Sequence, residues 1–434
     1  MTLTEKLVIT WWTLILTSLH WFFAGYGLAP LALLPSVLLA VCVLLVFTKR
    51  IPTRFAPPML AWLLVSAVAA LFAINRTLAF QYFKPVLFMY ILTVVSLATV
   101  RTTSVAMPLL RVAFLWQYIW MAMFGLQAGL VRWHPDLSNQ DAFGPIMVIG
   151  MGMTFFYGMA AKTTHERYIG LGTAVLCLGG VVSSFARGAV ISAVIVAGYI
   201  WWVMPNKKRS SLALVGGGII VVIAAALLEG EKRGGNDSSP VGFWAEMMTI
   251  GDSEDGTTSD RKILWSAAVR VFTAHPFIGA GAANFGVAAS TIYLPGEIGG
   301  EYAGNPMRLY DRALHSLYLQ VLSEQGLLGC LALLWVLFDF VRKNWKMRQR
   351  RYCDAWSAEG ADLPDLRFLA IGLEAGLLGF TATAAFYNQL YVHWFYTIVT
   401  LNLLLHMIST KLVTRRAVAA RAAAVSRATP YPAA

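Results

Sequence analysis

Residues 207–240 read KKRSSLALVGGGIIVVIAAALLEGEKRGGNDSSP. Three basic residues, Lys207, Lys208 and Arg209, lead into a charge-free run from Leu212 to Leu228, which gives way at Glu229 to Gly, Asp, Asn and Ser. At about 1.5 Å of rise per residue, a helix over that run crosses most of the roughly 30 Å of bilayer hydrocarbon. Lys and Arg beside a span are retained on the cytoplasmic side. This one stretch therefore predicts a membrane helix that starts inside and emerges at Glu229 into the periplasm.

Runs of the same kind extend in both directions. Twelve spans are expected: Leu7 to Leu28, Leu31 to Phe47, Pro57 to Ala73, Pro85 to Val100, Met107 to Leu130, Phe143 to Ala161, Ile169 to Phe185, Ala189 to Met204, Leu212 to Leu228, Ser316 to Val341, Phe368 to Phe386 and Tyr391 to Ile408. The chain is 58% hydrophobic and 13% charged, about half the charge of a soluble domain, so its solvent is lipid. The first span is long, rich in Trp and without a small-residue cleavage site, which argues against a cleavable signal peptide.

With the N-terminus inside, alternate tethers carry Lys6; Lys49, Arg50 and Arg54; Arg101 and Arg111; Lys162 and Arg167; Lys207 to Arg209; Arg342 to Arg351; and the tail from Lys411 to Arg427. Roughly two thirds of the Lys and Arg fall inside, so both termini are expected in the cytoplasm. The net charge of +12 then reads as topology signal and attraction to anionic membrane lipids, and calls for no nucleic-acid partner. Cys42, Cys177 and Cys330 fall in spans and Cys353 in a cytoplasmic tether, without the spacing of a zinc site; all four read as apolar fillers.

The expected architecture is an all-α polytopic inner-membrane protein of about twelve transmembrane helices with one large, partly helical periplasmic loop. It divides into spans 1–228, loop 229–315, spans 316–410 and a basic cytoplasmic tail 411–434, a disordered or membrane-surface end. Gly230 to Thr258 reads as loop apart from the apolar stretch Val241 to Ile250. Ser259 and Asp260 then suit an N-cap, and Ile263, Leu264, Ala267, Ala268, Val271 and Phe272 recur at helical spacing as far as His275 and Pro276. A second helix is expected from near Met307 into the tenth span.

Candidate chemistry lies on the periplasmic side. Arg187, in Ser183-Ser-Phe-Ala-Arg187-Gly188, stands between two spans with almost no loop, where a desolvated cation is costly and calls for an anion or a water-filled cavity; an interfacial arginine snorkelling to water is the other reading. Arg261 is expected in the first turn of the loop helix, where free amides and the dipole already favour phosphate. Lys262 and Arg270 read as surface. Arg308, Arg312 and His315 are spaced to share one face of a continuous helix, with Tyr318 a turn later, so that two cations flank an imidazole suited to accept a proton. His20, His393 and His406 have no such company and read as structural.

Asp141 precedes the sixth span and could orient a sugar or pair with an arginine. Glu324 and Glu374, inside spans, are expected either to partner a buried arginine or to be protonated. Asp252, Glu254, Asp255 and Asp260 lack an EF-hand pattern and read as solvated, so no metal and no other cofactor is expected. There is no phosphate-binding GxxxxGK[ST] loop, and the GAGAANFG stretch at 279–286 follows a helix rather than a strand, which rules out a dinucleotide fingerprint. Gly216, Gly217 and Gly218 read as a close helix contact.

These elements resemble the O-antigen ligase and polymerase superfamily of bacterial envelope glycosyltransferases. The likeness is carried by Ser-Phe-Ala-Arg187-Gly, by Arg261-Lys-Ile-Leu-Trp265 leading to His275-Pro276-Phe-Ile-Gly279-Ala-Gly281, by His315-Ser316 followed by Glu324-x-Gly326-x-x-Gly329, and by Asn139-Gln-Asp141. The resemblance implies a GT-C-like, metal-independent, inverting transferase that takes a glycan from undecaprenyl pyrophosphate. It further implies that Arg187 and Arg261 hold the pyrophosphate and that His315 activates the acceptor hydroxyl; Arg312 and Arg308, from their place on the His315 stripe, are read as helping to hold phosphate. Ser316 departs from the Asn that many members carry.

A ligase acting on the lipid A core is the reading adopted, since polymerases often add a second large periplasmic loop. An O-antigen polymerase or a protein O-oligosaccharyltransferase shares the donor chemistry. A transporter or flippase would carry inverted-repeat symmetry and mid-membrane ionisable residues; only Glu324 and Glu374 qualify, and no symmetry is visible. The topology has a direct test. Cysteines placed by Ser238→Cys and Ser239→Cys should react with an impermeant thiol reagent from the periplasm while Cys353 stays unlabelled; labelling of Cys353 alone in sealed right-side-out vesicles inverts the orientation.

Overall fold

The structure, a computed structural model, describes residues 1–18, 33–46, 56–125, 140–227, 243–248 and 256–428. His20, Lys49, Arg50, Arg54, Asn139, Ser238, Ser239, Asp252, Glu254 and Asp255 lie outside the described residues, as does the side chain of Asp141. All regular structure among the described residues is helical: α1 (Leu3–Thr17), α2 (Leu34–Val46), α3 (Pro57–Leu71), α4 (Arg76–Thr99), α5 (Thr103–Arg111), α6 (Gln117–Gly125), α7 (Gln140–Ala160), α8 (Thr164–Ser183), α9 (Arg187–Val203), α10 (Lys207–Leu227), α11 (Phe243–Met248), α12 (Gly256–Ala274), α13 (Phe285–Ile292), α14 (Leu317–Met347), α15 (Arg350–Ser357), α16 (Leu366–Thr383) and α17 (His393–Ala428). Each of the twelve apolar runs overlaps a helix, and among the described residues six helices are long and apolar enough to cross a membrane. The protein is a polytopic α-helical membrane protein.

Boundaries differ where polar chemistry outvotes hydropathy. α4 starts nine residues before the expected Pro85, because the Asn75 side chain accepts from the Leu78 amide and caps the helix. α5 and α6 join through a π turn, Val112–Trp116. The basic tail is no disordered end over the described residues: α17 continues to Ala428, since Ala and Arg favour a helix even in water.

The bundle is built around α7, which is buried on nearly every side. Small residues set its approach to its neighbours, as expected where helices pack without a hydrophobic driving force. A Cβ on Gly170 of α8 would lie 2.6 Å from the Gly158 backbone, and one on Gly152 would lie 2.8 Å from Ala375 Cβ on α16. The triple glycine is not such a contact. A Cβ would meet nothing within 4 Å at Gly216 or Gly218 and only Leu178 of α8, at 3.6 Å, from Gly217, so no described helix approaches these glycines closely.

The described part of the large loop from Gly256 onward is folded as a cap. α12 and α13 bury Leu264, Ala267, Ala268, Val271, Phe285 and Ala288 in a core of their own, together with Tyr302, Leu309 and Leu314. The periodic stripe of α12 therefore faces this second core. The cap is tied to the bundle where α14 is broken. Gly326 has φ 64°, ψ −159°, so α14 is two helical pieces. The turn after α12 enters the break: Ala280 and Gly281 donate to the carbonyls of Ser323 and Glu324 at 2.9 Å each, and Leu327 and Leu328 donate to Pro276 and Phe277 at 2.8 and 3.1 Å.

Two glycines make that junction possible. Gly279 has φ 76°, and a Cβ on it would lie 2.3 Å from the Glu324 carbonyl carbon; a Cβ on Gly326 would lie 2.6 Å from Phe277 carbonyl atoms. Backbone on both sides leaves nothing flexible to yield. Gly279→Ala and Gly326→Ala should each destabilise the protein by at least about 2 kcal/mol, from left-handed strain plus overlap. Gly172→Ala and Gly198→Ala, where a Cβ meets nothing within 4 Å, should be neutral. Thermal unfolding of the four purified variants checks the contrast.

Candidate functional site

The site forms at the end of the bundle that carries the cap. The turn between α16 and α17 is its hub. Leu317 N–H donates to the Ala384 carbonyl at 2.8 Å and Ser316 N–H to Asn388 Oδ1 at 3.3 Å, which holds the backbone directly after His315. A Cβ on Gly188 would lie 2.7 Å from Phe386 Cβ, so the Arg187 junction rests on the same turn.

Arg187 is the first residue of α9, half-buried, and follows Phe185, whose φ is 52°. Ser184 stabilises this reversal: its Oγ donates to the Val181 carbonyl at 2.7 Å and accepts from the Ala186 amide at 3.2 Å. The junction packs against the start of α7, where a Cβ on Gly144 would lie 2.8 Å from Ser184 Oγ. Asp141 occupies the first turn of that helix. Against the junction lies Phe243 of α11, its ring 6.1 Å from that of Phe185, so α11 packs on this turn.

α12 meets the His315 segment through Trp265, whose Nε1 donates to the Leu314 carbonyl at 3.1 Å. Arg261, one turn earlier, is half-buried. Its expected place in the first turn is corrected: α12 starts at Gly256, so Ser259 and Asp260 lie inside the helix and the free amides precede Arg261. Instead of capping, Asp260 Oδ1 accepts from Tyr302 OH at 2.5 Å. The Arg312 guanidinium lies over the same Tyr302 ring, 5.6 Å from its centroid. Tyr302, which the sequence reading passed over, thereby joins the Arg261 turn to Arg312.

The helical stripe Arg308–Arg312–His315 does not exist as expected. Pro306–Leu309 is a 3-10 turn, residues 312–316 are non-helical, and His315 itself has φ 51°. The reason is that the groups needed for a helix are committed elsewhere: the Leu314 carbonyl to Trp265, the Ser316 amide to Asn388 and the Leu317 amide to Ala384. Arg308 and Arg312 are exposed at the rim, and half-buried His315 sits at the mouth of α14. A left-handed residue without a glycine's freedom costs about 1–3 kcal/mol and concentrates at functional positions. Tyr318 anchors the start of α14, its OH donating to the Thr381 carbonyl at 2.7 Å.

The two intramembrane carboxylates resolve differently. Glu374 partners an arginine, its Oε2 lying 2.9 Å from Arg348 Nη1 and accepting from Asn344 at 3.0 Å. Glu324, buried, has only neutral donors: Tyr391 OH at 2.6 Å, the Ala283 amide at 2.8 Å and Gln320 Nε2 at 3.3 Å. It braces the inserted turn rather than pairing with an arginine. Lys262 is exposed, and Arg270 is held by Glu297 at 3.1 Å and the Tyr293 ring, so both belong to the cap surface.

Asn388 was missed because it stands in a short tether without a charge; the signal was two adjacent amides, Asn388 and Gln389, between apolar runs. No curated protein matches the chain. A family model described as O-antigen ligase matches residues 172–334, from the second half of α8 through the Arg187 junction, the cap and the break in α14. That segment, which carries Arg187, Arg261, Arg308, Arg312, His315 and Glu324, is similar to the O-antigen ligase family.

Proposed function

We propose that the protein is an O-antigen ligase of the inner membrane, with about twelve spans in a GT-C-like arrangement, both termini cytoplasmic and the site periplasmic. It moves O-antigen polysaccharide from undecaprenyl pyrophosphate to the lipid A core oligosaccharide. The observation that carries this reading is that the Arg187 junction and the His315 turn meet on the connection between α16 and α17, while the Arg261 helix is bonded to the His315 segment through Trp265 and Leu314. The single large loop favours a ligase over a polymerase.

In the proposed reaction the acceptor hydroxyl oxygen attacks the anomeric carbon from the face opposite the pyrophosphate. His315 takes the hydroxyl proton, the new glycosidic bond forms, and the old carbon–oxygen bond leaves with its electrons on the pyrophosphate. Arg187 and Arg261, helped by Arg312 and Arg308, stabilise the charge that grows there, as preorganised guanidinium groups do best at a half-dry interface. Such a leaving group needs no metal. Asp141 and Tyr318 support the sugar and the mouth of α14. Reconstitution with an undecaprenyl-pyrophosphate glycan and, separately, lipid A core, O-antigen repeat or acceptor protein tests the assignment: glycan gained by another acceptor and not by lipid A core overturns it.

Two variant series probe the roles. Arg187→Lys and Arg261→Lys should each lose most activity although charge is kept, because lysine cannot make a planar two-pronged contact with phosphate. Wild-type turnover in both, at equal expression, removes the guanidinium clamp. A positioned base contributes about a hundred- to ten-thousand-fold, so His315→Ala should slow single-turnover transfer by that order at saturating donor. An unchanged rate under those conditions leaves His315 with donor binding alone.

A further inference from the structure

A second site lies at the other end of the bundle, outside residues 172–334. A cavity of about 510 Å³ is lined by Pro57 and Pro58 of α3, Asp339, Arg342 and Lys343 of α14, and His406 and Thr410 of α17, with Trp335 and Thr414 at its edge. α3 reaches the cap at its C-terminal end, where Ile74 N–H donates to the Ala280 carbonyl, so Pro57 stands at the far end of the bundle.

The wall is built for an anion. Asp339 is shared by two cations, Arg342 at 2.8 Å and the neighbouring Lys343 ammonium, so the cluster keeps one positive charge in excess. Lys343 and Asp339 are nearly buried, with side chains 5% and 10% exposed, while Arg342 is 48% exposed and has donors to spare. The N-terminal end of α3, the positive end of its dipole, also faces the cavity, and no side chain caps it. The Thr410 hydroxyl is buried and makes no hydrogen bond among the described residues. A buried hydroxyl is normally satisfied, so a ligand with acceptor oxygens completes it.

Lipid is the source of that ligand. Beside the cavity, α14 presents Leu331, Leu334, Trp335 and Phe338 outward, each between 49% and 67% exposed, an apolar strip along which acyl chains can lie. Tryptophan at such a level marks the head-group zone, and basic pockets between spans take anionic head groups. We propose that this cavity binds the phosphodiester head group of an anionic phospholipid, with Arg342, Lys343 and Thr410 as its donors and the acyl chains on the Leu331–Phe338 strip.

The test uses the purified full-length protein in neutral detergent, titrated with phosphatidylglycerol, phosphatidylcholine or inorganic phosphate. Bound lipid is read by native mass spectrometry and stability by the unfolding temperature. Phosphatidylglycerol should bind and raise the unfolding temperature, and the zwitterionic lipid should do so far less. Arg342→Gln and Thr410→Val should each weaken phosphatidylglycerol by about tenfold, the worth of one charge-assisted hydrogen bond. If Arg342→Gln lowers the unfolding temperature before lipid is added, Thr410→Val, which removes only a hydroxyl, decides. Wild-type affinity in Thr410→Val overturns the site, and equal stabilisation by inorganic phosphate overturns lipid as its source.

Discussion

Backbone groups inside hydrocarbon have no water to turn to, so a helix interrupted in a membrane must find partners for every amide and carbonyl it releases. α14 is interrupted at Gly326, and the turn from Pro276 to Gly281 answers it with four main-chain hydrogen bonds. Glu324 completes the joint by accepting from the Ala283 amide and Tyr391 OH. The four main-chain bonds and the Ala283 bond cross between cap and bundle, and Tyr391 holds Glu324 from the bundle side. The turn after α12 is therefore fixed against the break that ends the first piece of α14, and the relative positions of Arg261, Trp265 and His315 follow from it.

The same joint explains why a soluble-looking loop can hold a rigid site. A cap of this size with one small core would be marginal alone, since small domains bury too little surface. Here the second core around Leu264, Val271 and Phe285 is continued by the joint at one side and by Trp265 against Leu314 at the other. Asn284 adds a third tie, its Oδ1 accepting from the Asn75 amide at 2.6 Å between α3 and α4. The GAGAANFG stretch is thus a structural plug, and its glycines serve backbone approach to another backbone rather than to a nucleotide.

What was legible in the sequence is what length and hydropathy report. The apolar runs mark helices because a charge-free stretch of that length has few other fates, and α12 was readable from the spacing of Leu264, Ala267 and Val271. The break at Gly326 was not, because hydropathy does not register a change of φ. The helical phase of Arg308, Arg312 and His315 failed for a related reason: periodicity assumes that backbone groups bond within the helix, and here three of them bond to Trp265, Asn388 and Ala384. Arg187 needed no such assumption, since a charge in a junction two residues from a span is placed by the spans themselves.

Charge is distributed along α14 in a way that separates structure from chemistry. Toward its far end the carboxylates meet cations: Asp339 is bonded by Arg342 and Lys343, and Glu374 by Arg348. At the cap end Glu324 is bonded by neutral donors only, and Asp260 is held by a tyrosine hydroxyl. Both of these acids serve the fold: Glu324 braces the inserted turn through the Ala283 amide, and Asp260 ties α12 to Tyr302. A neutral sugar gains little from guanidinium groups, whereas a lipid-linked pyrophosphate gains in the ground state and again as the bond to the sugar breaks. The proposed donor chemistry thus rests on where the arginines stand, while the two acids at the cap end hold the frame that places them.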